Sequence, residues 1–146
     1  MRNLRRAGLH CFLRGQAGAT AVEFAIVFPL FLALLFGIII YGSYLVVVHG
    51  VQQLAAEAAR SSIAGLSDSE RASLAQSYVT SNVTYYPLIS SNRLTVNAAA
   101  SSSNANNFVV TVSYDDSNSF IYLLPQLVPA PPSNIVSSAV IPRGGY

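Results

Sequence analysis

Lysine and tryptophan are absent from this sequence of 146 residues, and cysteine and histidine are scarce. All eight basic residues are arginines, which excludes lysine Schiff-base chemistry and the lysine of a phosphate-binding loop. A single cysteine excludes a disulfide framework, and one cysteine with two histidines argues against a zinc site. The chain therefore lacks the residues on which many covalent mechanisms and metal centres depend.

Charge is also scarce, since only 10% of the residues are charged while 52% are hydrophobic. Because about a quarter of the residues in a soluble domain are charged, we expect part of this chain to lie in lipid. The formal net charge of +2 is too small to favour nucleic-acid binding. No serine–histidine–aspartate set, carboxylate pair or glycine-rich phosphate loop stands out, so we predict a protein without catalytic activity, cofactor or metal.

The few charges are distributed unevenly along the chain. Four arginines and no acidic residue precede residue 19, namely Arg2, Arg5, Arg6 and Arg14. From Ala19 onward there are four arginines and six acidic residues, a formal charge of −2. The sequence thus predicts a basic leader, residues 1–18, attached to a mildly acidic body.

A long apolar run follows the leader. Residues 24–48 are 25 consecutive residues without a charge. As a helix they would be roughly 37 Å long, enough to cross a hydrocarbon core of about 30 Å. Arginines before the run and almost none directly after it predict a single membrane span with a cytoplasmic N-terminus and an exported C-terminal part.

Glu23 directly precedes this run, behind the small residues Gly18 to Ala21. A carboxylate beside lipid costs a few kcal/mol, so its position makes it a functional candidate. Position alone leaves two interpretations open. The carboxylate either lies at the level of the lipid headgroups, where the helix N-terminus favours it, or pairs with a positively charged partner.

The pattern around Glu23 resembles a known family. A basic leader, Gly18, four residues, Glu23 and a long apolar helix resemble the processing site of type IV prepilins. The string from Gly18 to Ala25, followed by Phe28-Pro29-Leu30 and Phe36-Gly37, resembles the TadE-like pseudopilins of tight-adherence (Tad) pili. The resemblance is strong over residues 14–48 and weak over residues 60–107.

The resemblance implies a function and a set of site residues. A prepilin peptidase would cut between Gly18 and Ala19, and Glu23 would then pair with the α-amine of Ala19 on a neighbouring subunit. The chain would be a minor pseudopilin, a structural or assembly subunit of a Tad-type pilus, starting in the bacterial inner membrane. Its partners would be the peptidase, other pilins or pseudopilins, the Tad assembly machinery and membrane lipid.

Three alternatives stay open at this point. A pseudopilin of a type II secretion system would share the processing site. An uncleaved single-pass anchor displaying a small binding domain would retain residues 1–18 on the finished protein. An exported enzyme is the third, and the missing catalytic residues disfavour it.

Beyond the span, helical spacing continues in a stripe of apolar residues from Val51 to Ile63. The pattern predicts one helix over about residues 20–63, with Gly65 as its stop signal and Pro29 as the site of a kink. We therefore divide the chain into a leader, residues 1–18, a transmembrane and stem helix, residues 19–65, and an exported head, residues 66–146.

Local signals in the head predict an α+β fold. Ser67 and Glu70 form a capping-box pattern that should open a second helix to about Asn82, with Leu74, Tyr78 and Val79 facing inward. Alternating apolar residues predict strands over residues 94–98 and 108–114, and a third over residues 134–141. The expected architecture is a long N-terminal transmembrane helix, a second helix and a small antiparallel sheet.

The segment 120–132 is apolar, but it contains too many prolines at its end to form a strand. We favour a loop that covers the small core. The alternative is an exposed patch for a partner or the membrane surface.

Overall fold

The computed structural model describes residues 16–143 and confirms the predicted α+β fold. Five main elements follow one another along the chain, and three short 3₁₀ turns lie between them. The main elements are α1 (Gln16–Ser62), α2 (Asp68–Asn82), β1 (Leu94–Ala100), β2 (Asn107–Asp115) and β3 (Asn134–Pro142). The predicted leader, with its four arginines, lies mostly outside the described residues.

The first helix is continuous for 47 residues and ends one residue before the predicted boundary. Its C-terminal half buries the predicted apolar stripe, with spacings of three and four residues along one face: Val51, Leu54, Ala55, Ala58 and Ala59. The last member of the predicted stripe is wrong, because Ile63 is 56% exposed. The helix has ended at Ser62, so Ile63 no longer follows its periodicity.

The second helix begins at the predicted cap. The Ser67 hydroxyl accepts a hydrogen bond from the Glu70 backbone N–H, at 3.2 Å. The Glu70 carboxylate accepts one in return, from Leu66 rather than from Ser67, at 2.8 Å. One free N–H of the first helical turn, that of Glu70, and one N–H just before the helix, that of Leu66, are thereby satisfied. Of the three residues predicted to face inward, Val79 is buried, whereas Leu74 and Tyr78 are half-buried.

The three strands form one antiparallel sheet in the order β1-β2-β3. Leu94 pairs with Tyr114, and Val112 with Ser137, across the central strand. One face of β2 is fully buried, with Phe108, Val110, Val112 and Tyr114 all at most 2% exposed. These side chains form one core with α1 and α2, as the predicted alternation requires.

A tyrosine at the end of β2 holds the connection into β1. The Tyr114 hydroxyl donates to the Leu88 carbonyl at 3.1 Å and accepts from the Ser90 N–H at 3.3 Å. Leu88 has φ 69°, a left-handed conformation that costs a non-glycine residue free energy. The tyrosine fixes both sides of this turn and thereby sets where the sheet begins.

Gly65 lies where α1 turns into α2. Its φ is not positive, so it does not end the helix through a left-handed conformation. Its role is close approach, because a Cβ added here would lie 2.7 Å from the Arg71 backbone N and 3.0 Å from the Arg71 Cα. The Arg71 side chain closes the same turn, with Nε donating to the Gly65 carbonyl at 2.9 Å.

Gly65→Ala should therefore destabilise the head by about 1–3 kcal/mol, because backbone atoms at this distance cannot give way without shifting α2. Urea unfolding of the detergent-solubilised chain, followed by circular dichroism, measures the effect. The control is Gly42→Ala, because a Cβ there meets nothing within 4 Å. Equal stability of the two variants would contradict the close-approach role.

Candidate functional site

The predicted cleavage position lies in the first turn of the described helix. Gly18 is exposed, and a Cβ added there would meet no atom within 4 Å. The peptide bond between Gly18 and Ala19 belongs to α1, so its backbone is helical in the intact chain. No side chain of the described head therefore crowds the backbone at Gly18.

Glu23 lies five residues further along, roughly 7 Å up the helix axis. It is exposed, and it forms no ion pair within residues 16–143. It is also the only Asp, Glu, Lys or Arg of α1 that precedes Glu57. The helix therefore carries one isolated carboxylate at the base of a long apolar surface.

Most of that apolar surface is exposed in the single chain. Large side chains from Val22 to Ile39 are exposed around the helix, among them Phe24 at 64%, Ile26 at 70% and Leu30 at 72%. Phe24 and Phe28 stack on each other, with ring centroids 5.1 Å apart. By length and composition the helix can cross a membrane, and exposed apolar residues on every face are what lipid requires.

Pro29 lies inside this exposed stretch. It has no N–H to donate to the Ala25 carbonyl, so one helical hydrogen bond is missing there. The helix nonetheless continues through it. The kink at this position stays a prediction.

Ile40 is the first fully buried side chain among the described residues of α1. Ile40 is 1% exposed and Val47 is 2% exposed, whereas Ile38 and Ile39 are still exposed. The predicted span of residues 24–48 thus has two ends with different surroundings. Residues 24–31 are all exposed, whereas from Ile40 onward one face of the helix is packed against the head. This division depends on the tertiary structure and could not be predicted from hydropathy.

The proline-rich segment 120–132 contacts α1 in the middle of the helix, at Gly37 and Tyr41. Its Val128 lies beside Gly37, where a Cβ would be 3.7 Å from Val128 Cγ1. The Tyr41 hydroxyl donates to the Pro129 carbonyl at 2.9 Å. Ile121 is buried, as the predicted covering loop requires. Three of its apolar side chains are nevertheless exposed, as the alternative requires: Phe120, Leu123 and Leu127.

A comparison with known protein families matches the first helix. The family model described as TadE-like protein matches residues 18–60, from the glycine of the predicted cleavage site to the last turn of α1. This segment is TadE-like. No curated protein and no solved structure matches the chain.

The TadE-like segment contains Gly18, Glu23 and Pro29, and it ends before the second helix. TadE-like proteins are a structural family associated with Tad pili. The long apolar helix and this match together fit a membrane-anchored protein. Within the part of the chain that is described, no group of three or more His, Cys, Asp or Glu residues could hold a metal ion.

Beyond the TadE-like segment, the pKa values of two neighbouring carboxylates at the end of β2 are shifted in opposite directions. Burial raises the pKa of Asp116, against the opposing effects of the Ser119 side chain and Arg93. The Ser117 N–H, which donates to Asp115 Oδ1 at 2.9 Å, lowers the pKa of Asp115. Because Asp116 is buried and its Oδ2 has no hydrogen-bond partner in the described structure, its ionised form is disfavoured in the folded state.

The stability of the head should depend on pH with opposite signs at these two positions. For Asp116, the stabilising contribution to the free energy of unfolding is present below the unfolded pKa of 3.8. It is lost as the pH rises through the raised folded pKa. For Asp115, it is present above 3.8 and is lost as the pH falls through the lowered folded pKa. Asp116→Asn should abolish the first trend, and Asp115→Asn the second.

Urea unfolding of the detergent-solubilised chain from about pH 2 to pH 7 measures both trends. Each variant serves as the control for the other, since the two residues are adjacent and only one of them is buried. Identical pH profiles for wild type and Asp116→Asn would contradict the effect of burial.

Sequence reasoning predicted functional roles for Gly18, Glu23 and Pro29, which stay predictions, and it did not predict the contact of Gly37 and Tyr41 with the segment 120–132. Tyr41 and Pro129 are separated by 88 positions, so no local spacing connects them. The one available signal was the apolar composition of the segment 120–132, which indicated a covered or lipid-facing surface without naming its location.

Proposed function

We propose that this chain is a minor pseudopilin, a structural or assembly subunit of a Tad-type pilus. It is made as a membrane-anchored precursor, cut after Gly18 by a prepilin peptidase, and packed against other subunits through α1. One observation supports the proposal above all: the TadE-like match covers α1, and the two halves of this helix have different surroundings. The N-terminal half of that helix is apolar and mostly exposed, and one face of the C-terminal half is buried in the core of the head.

The charge distribution supports the orientation. All four arginines of the leader precede Ala19, and acidic residues appear only after it. Under the positive-inside rule, the leader stays in the cytoplasm and the head is exported across the bacterial inner membrane. Removal of the leader changes the formal charge from +2 to −2, before the termini are counted, and it removes the cytoplasmic anchor.

Cleavage also creates the partner that Glu23 needs. The new α-amine on Ala19 is a cation at the base of the apolar surface, and Glu23 is the isolated anion of the same region. In a filament, the amine of one subunit pairs with the carboxylate of its neighbour. A charge pair in such surroundings sets the axial register of the helices more dependably than it adds net stability.

N-terminal sequencing and intact-mass measurement of the protein from its native membrane test this proposal. The expected N-terminus is Ala19. A protein that begins at Met1 would overturn the cleavage and would leave an uncleaved single-pass anchor that displays the head. A second measurement, copurification of other pilins with the processed chain, tests the assembly role separately from cleavage.

A further inference from the structure

The segment from Phe120 to Pro132, here the apolar loop, joins β2 to β3 with a single 3₁₀ turn at Phe120–Leu123. Residues 117–142 contain no Asp, Glu, Lys or Arg. Three large side chains of the loop point into solvent in the single chain: Phe120 at 44%, Leu123 at 85% and Leu127 at 48% exposed. An uncharged surface that exposes three large apolar side chains indicates a contact with something apolar.

The loop is held at a definite height along α1. Its Pro129 carbonyl accepts the Tyr41 hydroxyl, and its Val128 lies beside Gly37. Internal contacts fix its shape, because Ile121 is 2% exposed and the Tyr122 hydroxyl donates to the Pro131 carbonyl at 3.2 Å. The exposed apolar side chains therefore belong to a loop anchored at the level of residues 37–41.

The dimensions of a bilayer set where that level lies. A hydrocarbon core of about 30 Å corresponds to about 20 helical residues. Counted from Glu23, the first charge of the helix, the core extends to about residue 43. Residues 37–41 then lie roughly 3–9 Å inside the outer boundary, the depth to which interfacial apolar segments insert.

We propose that the apolar loop inserts into the outer boundary of the membrane beside α1, with Phe120, Leu123 and Leu127 in contact with lipid. Continuity favours lipid over a second protein, because the loop extends the same exposed apolar surface that α1 presents from Val22 to Ile39. The ion pairs of the described residues lie near the C-terminal end of α1, away from the loop, where Arg143 contacts Asp68 and Arg60 contacts Glu57. The loop is thus a second membrane contact that fixes the tilt of the head.

This inference rests on the membrane span of α1 in the proposed function, and on neither cleavage nor pilus assembly. The test uses the full chain with Cys11→Ser, which removes the only cysteine, and a single new cysteine carrying the fluorophore NBD. The three label positions are Leu123 in the loop, Phe31 in the span and Leu66 at the far end of the head. Leu66 is the matched control, because it is a leucine 95% exposed.

The labelled chains are reconstituted in phosphatidylethanolamine–phosphatidylglycerol vesicles, and quenching by doxyl-labelled lipids is compared with quenching by aqueous iodide. We expect the lipid quencher to remove most of the fluorescence at Leu123 and Phe31 and little at Leu66, with the reverse order for iodide. Quenching at Leu123 that stays constant as the protein-to-lipid ratio falls supports contact with lipid.

Two results would overturn the inference. A Leu123 label as open to iodide as the Leu66 label would leave the loop in water. A Leu123 label screened from both quenchers would show that a neighbouring protein copy covers it. Failure of the lipid quencher at Phe31 would instead contradict the membrane span itself, so the two failures are distinguishable.

Discussion

Replacement of Gly18 by leucine should leave essentially all of the protein as the uncut, membrane-bound precursor. The proposed peptidase must approach the backbone at the cut, and a glycine offers no side chain to obstruct it. The substitution is a clean test because a Cβ at Gly18 meets no atom within 4 Å in the described structure. The fold should therefore remain intact while processing fails.

The measurement for Gly18→Leu is the intact mass of the protein from native membranes, since the precursor retains residues 1–18. Gly42→Leu is the matched control, because a Cβ at Gly42 also meets nothing within 4 Å and the residue belongs to the same helix. We expect the control to be processed as wild type is. Normal cleavage of Gly18→Leu would show that Gly18 is not part of the processing site.

Glu23→Ala should be cleaved normally but should assemble poorly. Without the carboxylate, the α-amine of Ala19 on the neighbouring subunit would be buried among apolar helices with no partner. Breaking a buried ion pair in this way costs about 3–5 kcal/mol, which corresponds to a loss of roughly a hundredfold or more in the affinity of one subunit for the next. Copurification of partner pilins and counting of pili on cells measure the loss.

Glu57→Ala provides the control for Glu23→Ala on the same helix. Glu57 forms an exposed ion pair with Arg60 three residues away, and such surface pairs contribute about 1 kcal/mol or less. We expect this variant to be cut and assembled as wild type is. Wild-type piliation in Glu23→Ala would leave Glu23 as a carboxylate at the headgroup level, the other interpretation of its position.

The proposed pseudopilin role and the proposed membrane contact of the apolar loop together require the head to change its surroundings during assembly. A head that rests on the bilayer through Leu123 must leave that surface when the subunit is drawn into a filament. The two states therefore differ in what covers the apolar loop, lipid before assembly and other surroundings afterwards. The vesicle experiment addresses only the first state, so it does not depend on the outcome for Gly18 or Glu23.

Local signals in the sequence predicted most of the elements. The alternation of apolar residues predicted β2 and its buried face, and the Ser67–Glu70 pair predicted the start of α2. These signals succeed because each depends on backbone geometry within a few residues: a period of two in strands, a period of 3.6 in helices, and a cap that satisfies free N–H groups. Ile63 was mispredicted because the helical period was extended one residue past the end of α1.

The sequence by itself determined the basic N-terminal segment, the apolar run, the pilin-like pattern from Gly18 to Glu23, and the order of helices and strands. Only the tertiary structure decided three further features. They are the packing of the head on one face of α1 from Ile40 onward, the close approach of Arg71 to Gly65, and the attachment of the apolar loop at Tyr41. The physical reason is separation along the chain, because these contacts join residues of different elements. The path of the whole chain sets their geometry, and no periodicity along the chain encodes it.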